Sequence, residues 1–535
     1  MAAARPASLS VTLPSVTPVI RTSQHTNDQT TSEVAFLTAG EMLHRFRSGT
    51  LTPDQAVEAC ISRIEDANGT VNAFVRTEFE AAREAAKVAA QRYAEGTARR
   101  LEGLPIATKD LFDFERGVRN TFGSRIFTED VAFIPPASSQ HVNRLLDAGA
   151  ISLGKTATPE FGHKGTCASP AYGDTSTPFR PGINSGGSSG GSCAAVASFM
   201  TAAAEGSDAG GSLRIPAAQT ATVSLKLTYG QVPTDIPPVS VNPYLFTGPI
   251  TRTVEDAALL ADEMAQPFAA DPTSRGTSTD LTAALRLGVK GKRIAFSPDL
   301  DLYPTDHSVV RTVRNAANAF QEAGAHVEQA KIGLNEVLVG INHDEGHLLT
   351  HGDLSSMWRE LMSVLYAGAV VDYFASHGID MMRHAEKMTP EFRDLIELSD
   401  TVSGRRVRNL ESLQSRIMMA LNKLFTDEGV DLLITPTLAC APSALPNAGD
   451  GSTLGPEEIR GEKVERTIGW CMTTPCNFSG HPVANVPAGF LDGLPVGMQI
   501  IGPRWGDDAV VAAAAAFEKL RPWYGSYPRH TQHPF

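Results

Sequence analysis

From Thr38 onward the apolar positions fall at a helical period. Ala39, Met42, Leu43 and Phe46 share one face, and Ser48-Gly49-Thr50 ends the run. Thr52-Pro53 opens a second helix, with Thr52 as N-cap, Pro53 at the first helical position and Val57, Ile61 and Ile64 as its apolar stripe. A third helix, over about 79–94, is built from Ala, Glu, Lys and Arg, all good helix formers. Apolar runs at 105–108 and 151–153 predict strands, with a helix over 139–148 between them. Gly, Ser, Pro and Thr dominate 165–216, where 192–204 reads as a helix of small residues. Further on, LGVKGKRIAFSP reads as a strand, 308–323 as a helix ended by Gly324, and 325–327 as the next strand. The stretch 335–424 is almost wholly helical in pattern. The apolar run 430–435 predicts a buried strand that Pro436 stops. Strands at 483–486 and 496–501 and a helix over 508–520 follow. Strands alternate with helices and no repeat is visible, so the fold class is α/β.

Composition narrows the picture. The chain has 535 residues, 42% hydrophobic and 20% charged, enough apolar material for a substantial core and too little charge for a disordered chain. The net charge of −13, without a basic cluster, argues against nucleic acid as a partner. The longest apolar candidate, 510–517, falls far short of the roughly 18 residues of a membrane helix, so no membrane partner is expected. Six cysteines are too few for a disulfide scaffold and read as free thiols in a reducing compartment, the cytoplasm. Residues 1–34 read as a flexible leader, a reading preferred to an organelle transit peptide; 35–525 as one domain with a helical insert at about 335–425; and 526–535 as a tail.

The chemistry concentrates in Asn184-Ser-Gly-Gly-Ser-Ser-Gly-Gly-Ser-Cys193 and Glu205-Gly-Ser-Asp-Ala-Gly-Gly-Ser-Leu-Arg-Ile-Pro216. Glycines let backbone N–H groups approach a ligand, and a serine after paired glycines presents a hydroxyl beside such amides. Acyl transfer needs that pairing of a nucleophile with oxyanion donors. Ser212 stands in no G-x-S-x-G elbow and no nearby His/Asp pair stands out, so a His/Asp-activated triad is not indicated. A lysine can replace the histidine. In Gly103-Leu-Pro-Ile-Ala-Thr-Lys109-Asp110, Lys109 stands at a strand end, where α/β proteins place clefts. Burial would lower its pKa toward neutrality. Position alone favours a surface lysine.

Together these segments resemble the amidase signature family. Leu432-Leu-Ile-Thr-Pro-Thr437, Asn477-Phe-Ser-Gly-His-Pro482, Val486-Pro-Ala-Gly-Phe490 and Leu494-Pro-Val-Gly-Met-Gln-Ile-Ile-Gly502 look like further family blocks, so the resemblance spans about 36–524. It implies a large mixed β-sheet covered by helices on both faces, and a Ser–cis-Ser–Lys triad. The nucleophile falls on Ser212, the bridging serine, preceded by a cis peptide bond, on Ser188, and the base on Lys109. The two serines stand 24 positions apart, as in the family. The oxyanion hole falls on the amides of Ala209, Gly210, Gly211 and Ser212. Ser189, Asp208 and Arg214 are expected to support the loop. Ser185 replaces a common proline and Ala209 a common Thr or Ile, changes that leave the chemistry intact.

Other motifs have plainer readings. His343, His347 and His351 fall at i, i+4 and i+8, but HDEGH is not HExxH and the outer pair would lie about 12 Å apart along a helix. A pocket-lining or interface helix is expected there, with no metal and no cofactor. Cys471 and Cys476 read as packed thiols, and Arg405-Arg-Val-Arg408 as a solvated face. Trp358, Tyr366, Tyr373 and Phe374 suit core packing and an acyl pocket equally well.

The expected activity is hydrolysis of the C–N bond of a small or medium amide, with carbamate left open, through a Ser212 acyl-enzyme. The alternatives are the glutaminase component of a tRNA-dependent amidotransferase and a catalytically dead binding module. The expected partner is a small-molecule amide, and a homodimer is left open.

Overall fold

The computed structural model describes residues 31–235, 242–275, 277–340 and 346–529. The first helices form where the caps predict them. Thr38 and Glu41 close a capping box on Ala39–Ser48, which ends at Gly49 with φ 69°. Thr52 and Gln55 do the same for Pro53–Val71. Most of the leader expected at 1–34 lies outside the described residues. Its last part forms a helical turn, Thr31–Ala35, with Val34 and Ala35 buried. From the expected tail, Tyr527 is buried and its hydroxyl donates to the Ala221 carbonyl.

The core is an 11-stranded mixed sheet. Its spatial order is Phe74–Thr77, Ile151–Thr156, Pro105–Lys109, Ala203–Asp208, Phe246–Thr251, Val223–Lys226, Val483–Leu491, Leu494–Ile501, Leu432–Pro436, Arg293–Phe296 and His326–Gln329. The pairings are parallel among the 105–109, 151–156 and 203–208 strands and again among 293–296, 326–329 and 432–436. They are antiparallel across the centre. Alternation shows that both faces are covered, because successive strand residues point to opposite sides. Leu432 and Ile434 pack into one apolar cluster with Val313 of His307–Ala319 and Phe517 of Asp507–Leu520. Leu433 packs into another, with Trp358, Phe392 and Ile417 from the 351–426 helices.

Two of the elements expected from the pattern are changed in the structure. The helix expected over 192–204 stops early, at Gly190–Ala197, and Phe199 takes a positive φ of 59°. Ala203–Asp208 is then a strand in the middle of the sheet, buried along its whole length. Burial on both faces removes the alternation that marks a strand, and its alanines suit a helix equally. The 335–424 stretch is not helical from its start either. Leu338–Val339 pairs antiparallel with His347–Leu348, and the helices begin at His351, capped by Thr350 and Asp353. His347 and His351 therefore share no helix face, and His343 lies outside the described residues. No described helix is long and apolar enough to cross a membrane.

Candidate active site

Two parallel neighbours, Pro105–Lys109 and Ala203–Asp208, end side by side and set the site. Lys109 is the last residue of the first and is fully buried. Its Nζ donates to Ser188 Oγ at 2.7 Å and to Ser207 Oγ at 2.9 Å. Burial, which disfavours the ammonium, pulls its pKa below the ordinary lysine value; the carboxyl groups of Asp113 and Glu205, when ionised, oppose that pull without reversing it. The peptide bond between Gly187 and Ser188 is cis, as the resemblance implies. Ser188, Ser207 and Ser212 line one cleft, and Ser212 is 8% exposed there.

The turn carrying Ser212 is fixed from behind. Asp208 accepts from the Gly211 amide at 2.7 Å and the Leu213 amide at 3.2 Å, and pairs with Arg214 at 3.0 Å, all fully buried. Burial alone would raise the Asp208 carboxyl, but the Arg214 charge outweighs it and holds it down at about 2. Asn477 donates to Asp208 and accepts from Arg214, while Gln499 and the Thr473 carbonyl take the remaining guanidinium donor. This gives the Asn477 and Gln499 blocks a physical role: they hold the turn that carries Ser212. Ser189 bridges the two serine loops, its amide donating to the Ser212 carbonyl and its hydroxyl to the Ser207 carbonyl. Gly211 needs its missing side chain. Its φ is 129°, and a Cβ would stand 2.1 Å from Thr473 Oγ1.

The oxyanion set expected from the sequence is narrowed. The Gly211 N–H is taken by Asp208. Those of Ala209, Gly210 and Ser212 have no protein acceptor among the described residues. Trp358 caps this turn from the neighbouring helix, its Nε1 donating to the Ala209 carbonyl at 3.0 Å.

The cleft walls are Leu111, Gly162, His163, Leu245, Trp358, Met362, Tyr366 and Leu395, with no Asp, Glu, Lys or Arg among the lining residues. Trp358 and Tyr366 thus serve core and cleft together; the Tyr366 hydroxyl donates to the Phe161 carbonyl at 2.6 Å. Phe374 is packed among Phe122, Phe127 and Phe133, and Tyr373 lies against Phe133. The closed cleft is about 30 Å³, and it shares His163, Trp358 and Leu395 with an outer hollow of about 330 Å³. His163 donates from Nδ1 to the Glu160 carbonyl only if Nδ1 carries the proton, and burial and the Lys164 charge hold its pKa down at about 3. It is a neutral wall residue near pH 7.

The remaining candidates sit elsewhere. Cys471 and Cys476 are buried, with thiol pKa values raised by burial. Arg405, Arg406 and Arg408 are exposed, and Arg406 forks onto Glu360. Sequence reasoning passed over Ser207, although it directly precedes Asp208, and over Asp113, His141 and Glu205. These last three form the one trio of grouped potential metal ligands among the described residues.

Comparison with known proteins agrees with this architecture. Residues 55–511 match the Amidase family. An acylamidase from Rhodococcus erythropolis is 33% identical over 505 residues, covering 93% of this chain and 98% of that protein. A glutamyl-tRNA(Gln) amidotransferase subunit from Geotalea daltonii is 30% identical, covering 92% of this chain and 99% of that one. The crystal structure of a bacterial aryl acylamidase of the amidase signature family aligns with a TM-score of 0.87 at 35% identity, over 94% of this chain and 100% of that one. The chain belongs to the amidase signature family. It is a hydrolase acting on carbon–nitrogen bonds.

Proposed function

We propose that the protein is an amidase that cleaves small apolar amides, aryl amides foremost, through an acyl-enzyme on Ser212. The carrying observation is the 2.7 Å contact of a buried Lys109 with Ser188 in the cleft that Ser212 also lines. Neutral Lys109 takes the Ser188 proton as Ser188 takes that of Ser212. Ser212 Oγ attacks the carbonyl carbon, and the amides of Ala209, Gly210 and Ser212 receive the oxyanion. Collapse breaks the C–N bond, and the proton returns through Ser188 to the leaving nitrogen. Water then cleaves the ester by the same relay. No metal or cofactor takes part.

The uncharged cleft supports an apolar substrate, because the ammonium and carboxylate of free glutamine would be buried there without partners. The likeness to acylamidases points the same way. The 30% identity to an amidotransferase component keeps glutaminase as the second reading. Six free, buried cysteines support a reducing compartment, the cytoplasm. A hydrolysis panel of anilides, aliphatic amides, carbamates and glutamine decides between the readings. Anilides should turn over with the highest kcat/KM and carbamates more slowly. Turnover of glutamine above the anilides would overturn the assignment.

A further inference from the structure

Behind Lys109 lies a buried ionic cluster that the relay does not use. Glu205, on the Ala203–Asp208 strand, accepts the Lys109 backbone N–H at Oε1 over 2.7 Å. Its Oε2 stands 3.4 Å from His141 Nε2, on the Gln140–Asp147 helix. The same nitrogen stands 3.0 Å from Asp113 Oδ1, in the loop that follows Lys109. All three side chains are 0–1% exposed. Glu205 Oε2, Asp113 Oδ2 and His141 Nδ1 have no hydrogen-bond partner among the described residues. Two carboxyl groups around one imidazole in a dry interior cannot both ionise freely.

We propose that His141, as an imidazolium, neutralises Asp113, while burial and the neighbouring Asp113 leave Glu205 as the uncharged acid of the cluster, so that the cluster is a positioning device that keeps Lys109 neutral. The inference rests on the reading of Lys109 as base. Burial favours neutral His141, but its hydrogen bond to Asp113 and the nearby Glu205 carboxyl outweigh this and hold it up at about 10. Burial and the Asp113 charge push Glu205 up to about 7, and contact with His141 holds Asp113 low despite its burial.

The other groups facing this region are accounted for. Besides Asp113 and Glu205, Lys109 faces Cys167, raised to about 11 by burial, and Asp208, paired with Arg214. Cys193, raised to about 12, also senses Lys109. Lys155, on the adjoining strand, donates to the Asp113 carbonyl at 2.5 Å and to Thr108 Oγ1 at 3.1 Å. Glu115 is bonded to Thr108 and Ser152, and Tyr366 faces Asp113 with its phenol kept protonated by burial. Asp113 acts on Lys109 more strongly than Glu205 does, so with Asp113 neutralised by His141, Glu205 is the next carboxyl whose ionisation would favour the Lys109 ammonium.

The test is the acid limb of kcat/KM, which reports the free enzyme's base. His141→Gln removes the cation, and the limb should move up by roughly one pH unit. Glu205→Gln copies the neutral acid and keeps the acceptor for Lys109 N–H, so its limb should stay at the wild-type position. Infrared difference spectra, wild type minus E205Q at neutral pH, should show a protonated-carboxyl C=O band even if His141→Gln fails to fold. A limb unmoved in His141→Gln, a limb lowered in Glu205→Gln, or an absent carboxyl band would overturn the cluster while leaving Lys109 as base. Stoichiometric zinc binding that His141→Gln abolishes would overturn it as well. Full activity in Lys109→Ala would instead overturn the base reading on which it rests.

Discussion

At the residue scale, the decisive feature is that Lys109 is buried with its Nζ shared between two serine hydroxyls, Ser188 and Ser207. A surface lysine would be an ammonium at neutral pH and useless as a base. Lys109→Arg keeps a cation but no deprotonable one, so kcat should fall at least as far as in Lys109→Ala, by roughly 10³-fold or more. A Lys109→Arg enzyme with near wild-type kcat would reduce Lys109 to an electrostatic element. The sign of the pH dependence follows from its lowered pKa. Above that pKa Lys109 is neutral and can accept a proton; as pH falls through it, the base is lost. Activity should therefore fall as pH drops toward acid, and a flat profile from about pH 5 to 9 would contradict the relay.

At the element scale, the turn carrying Ser212 depends on the strand end at Asp208 and the helix start at Arg214 being tied together. Arg214→Ala leaves a fully buried carboxylate without its cation, and should cost about 3–5 kcal/mol, read as a large fall in the thermal unfolding midpoint. The Asp208 pKa is depressed, so its stabilising share is complete above pH ~4 and is lost as pH falls toward about 2. A midpoint unchanged in Arg214→Ala would show that the tie is dispensable.

This scale also shows what was legible in the sequence. Capped helices such as Pro53–Val71 read clearly, because Thr52, Pro53 and Gln55 are local signals. Ser188 and Ser212 stood out through their glycine-rich setting, and Lys109 as the end of a short apolar strand. The central strands did not. Ala203–Asp208 lacks alternation, Phe246–Thr251 contains Gly248 and Pro249, and Val223–Lys226 ends on a buried lysine that donates to the His481 carbonyl over the Phe246 ring, its pKa pulled down to about 7 by burial. Such strands are specified by their neighbours in the sheet. The same holds for Asp113, His141 and Glu205, which come from three separate elements and carry no common motif. The Gly211 amide looked available for an oxyanion until its bond to Asp208 was seen.

For the whole molecule, the mechanism predicts independence from metals and from partner chains. Prolonged treatment with EDTA or phenanthroline should leave turnover unchanged; loss of activity restored by zinc would contradict the metal-free relay and redirect attention to Asp113, His141 and Glu205. The purified chain should hydrolyse amides alone, whereas activity that required a co-purifying second protein would favour the amidotransferase reading. The most direct measurement is the intact mass of the chain during turnover of a slow anilide. The mass should rise by the acyl group, the adduct should map by peptide analysis to Ser212, and Ser212→Ala should show neither adduct nor turnover. An adduct on Ser188, Ser207 or a cysteine, or turnover by Ser212→Ala, would contradict it.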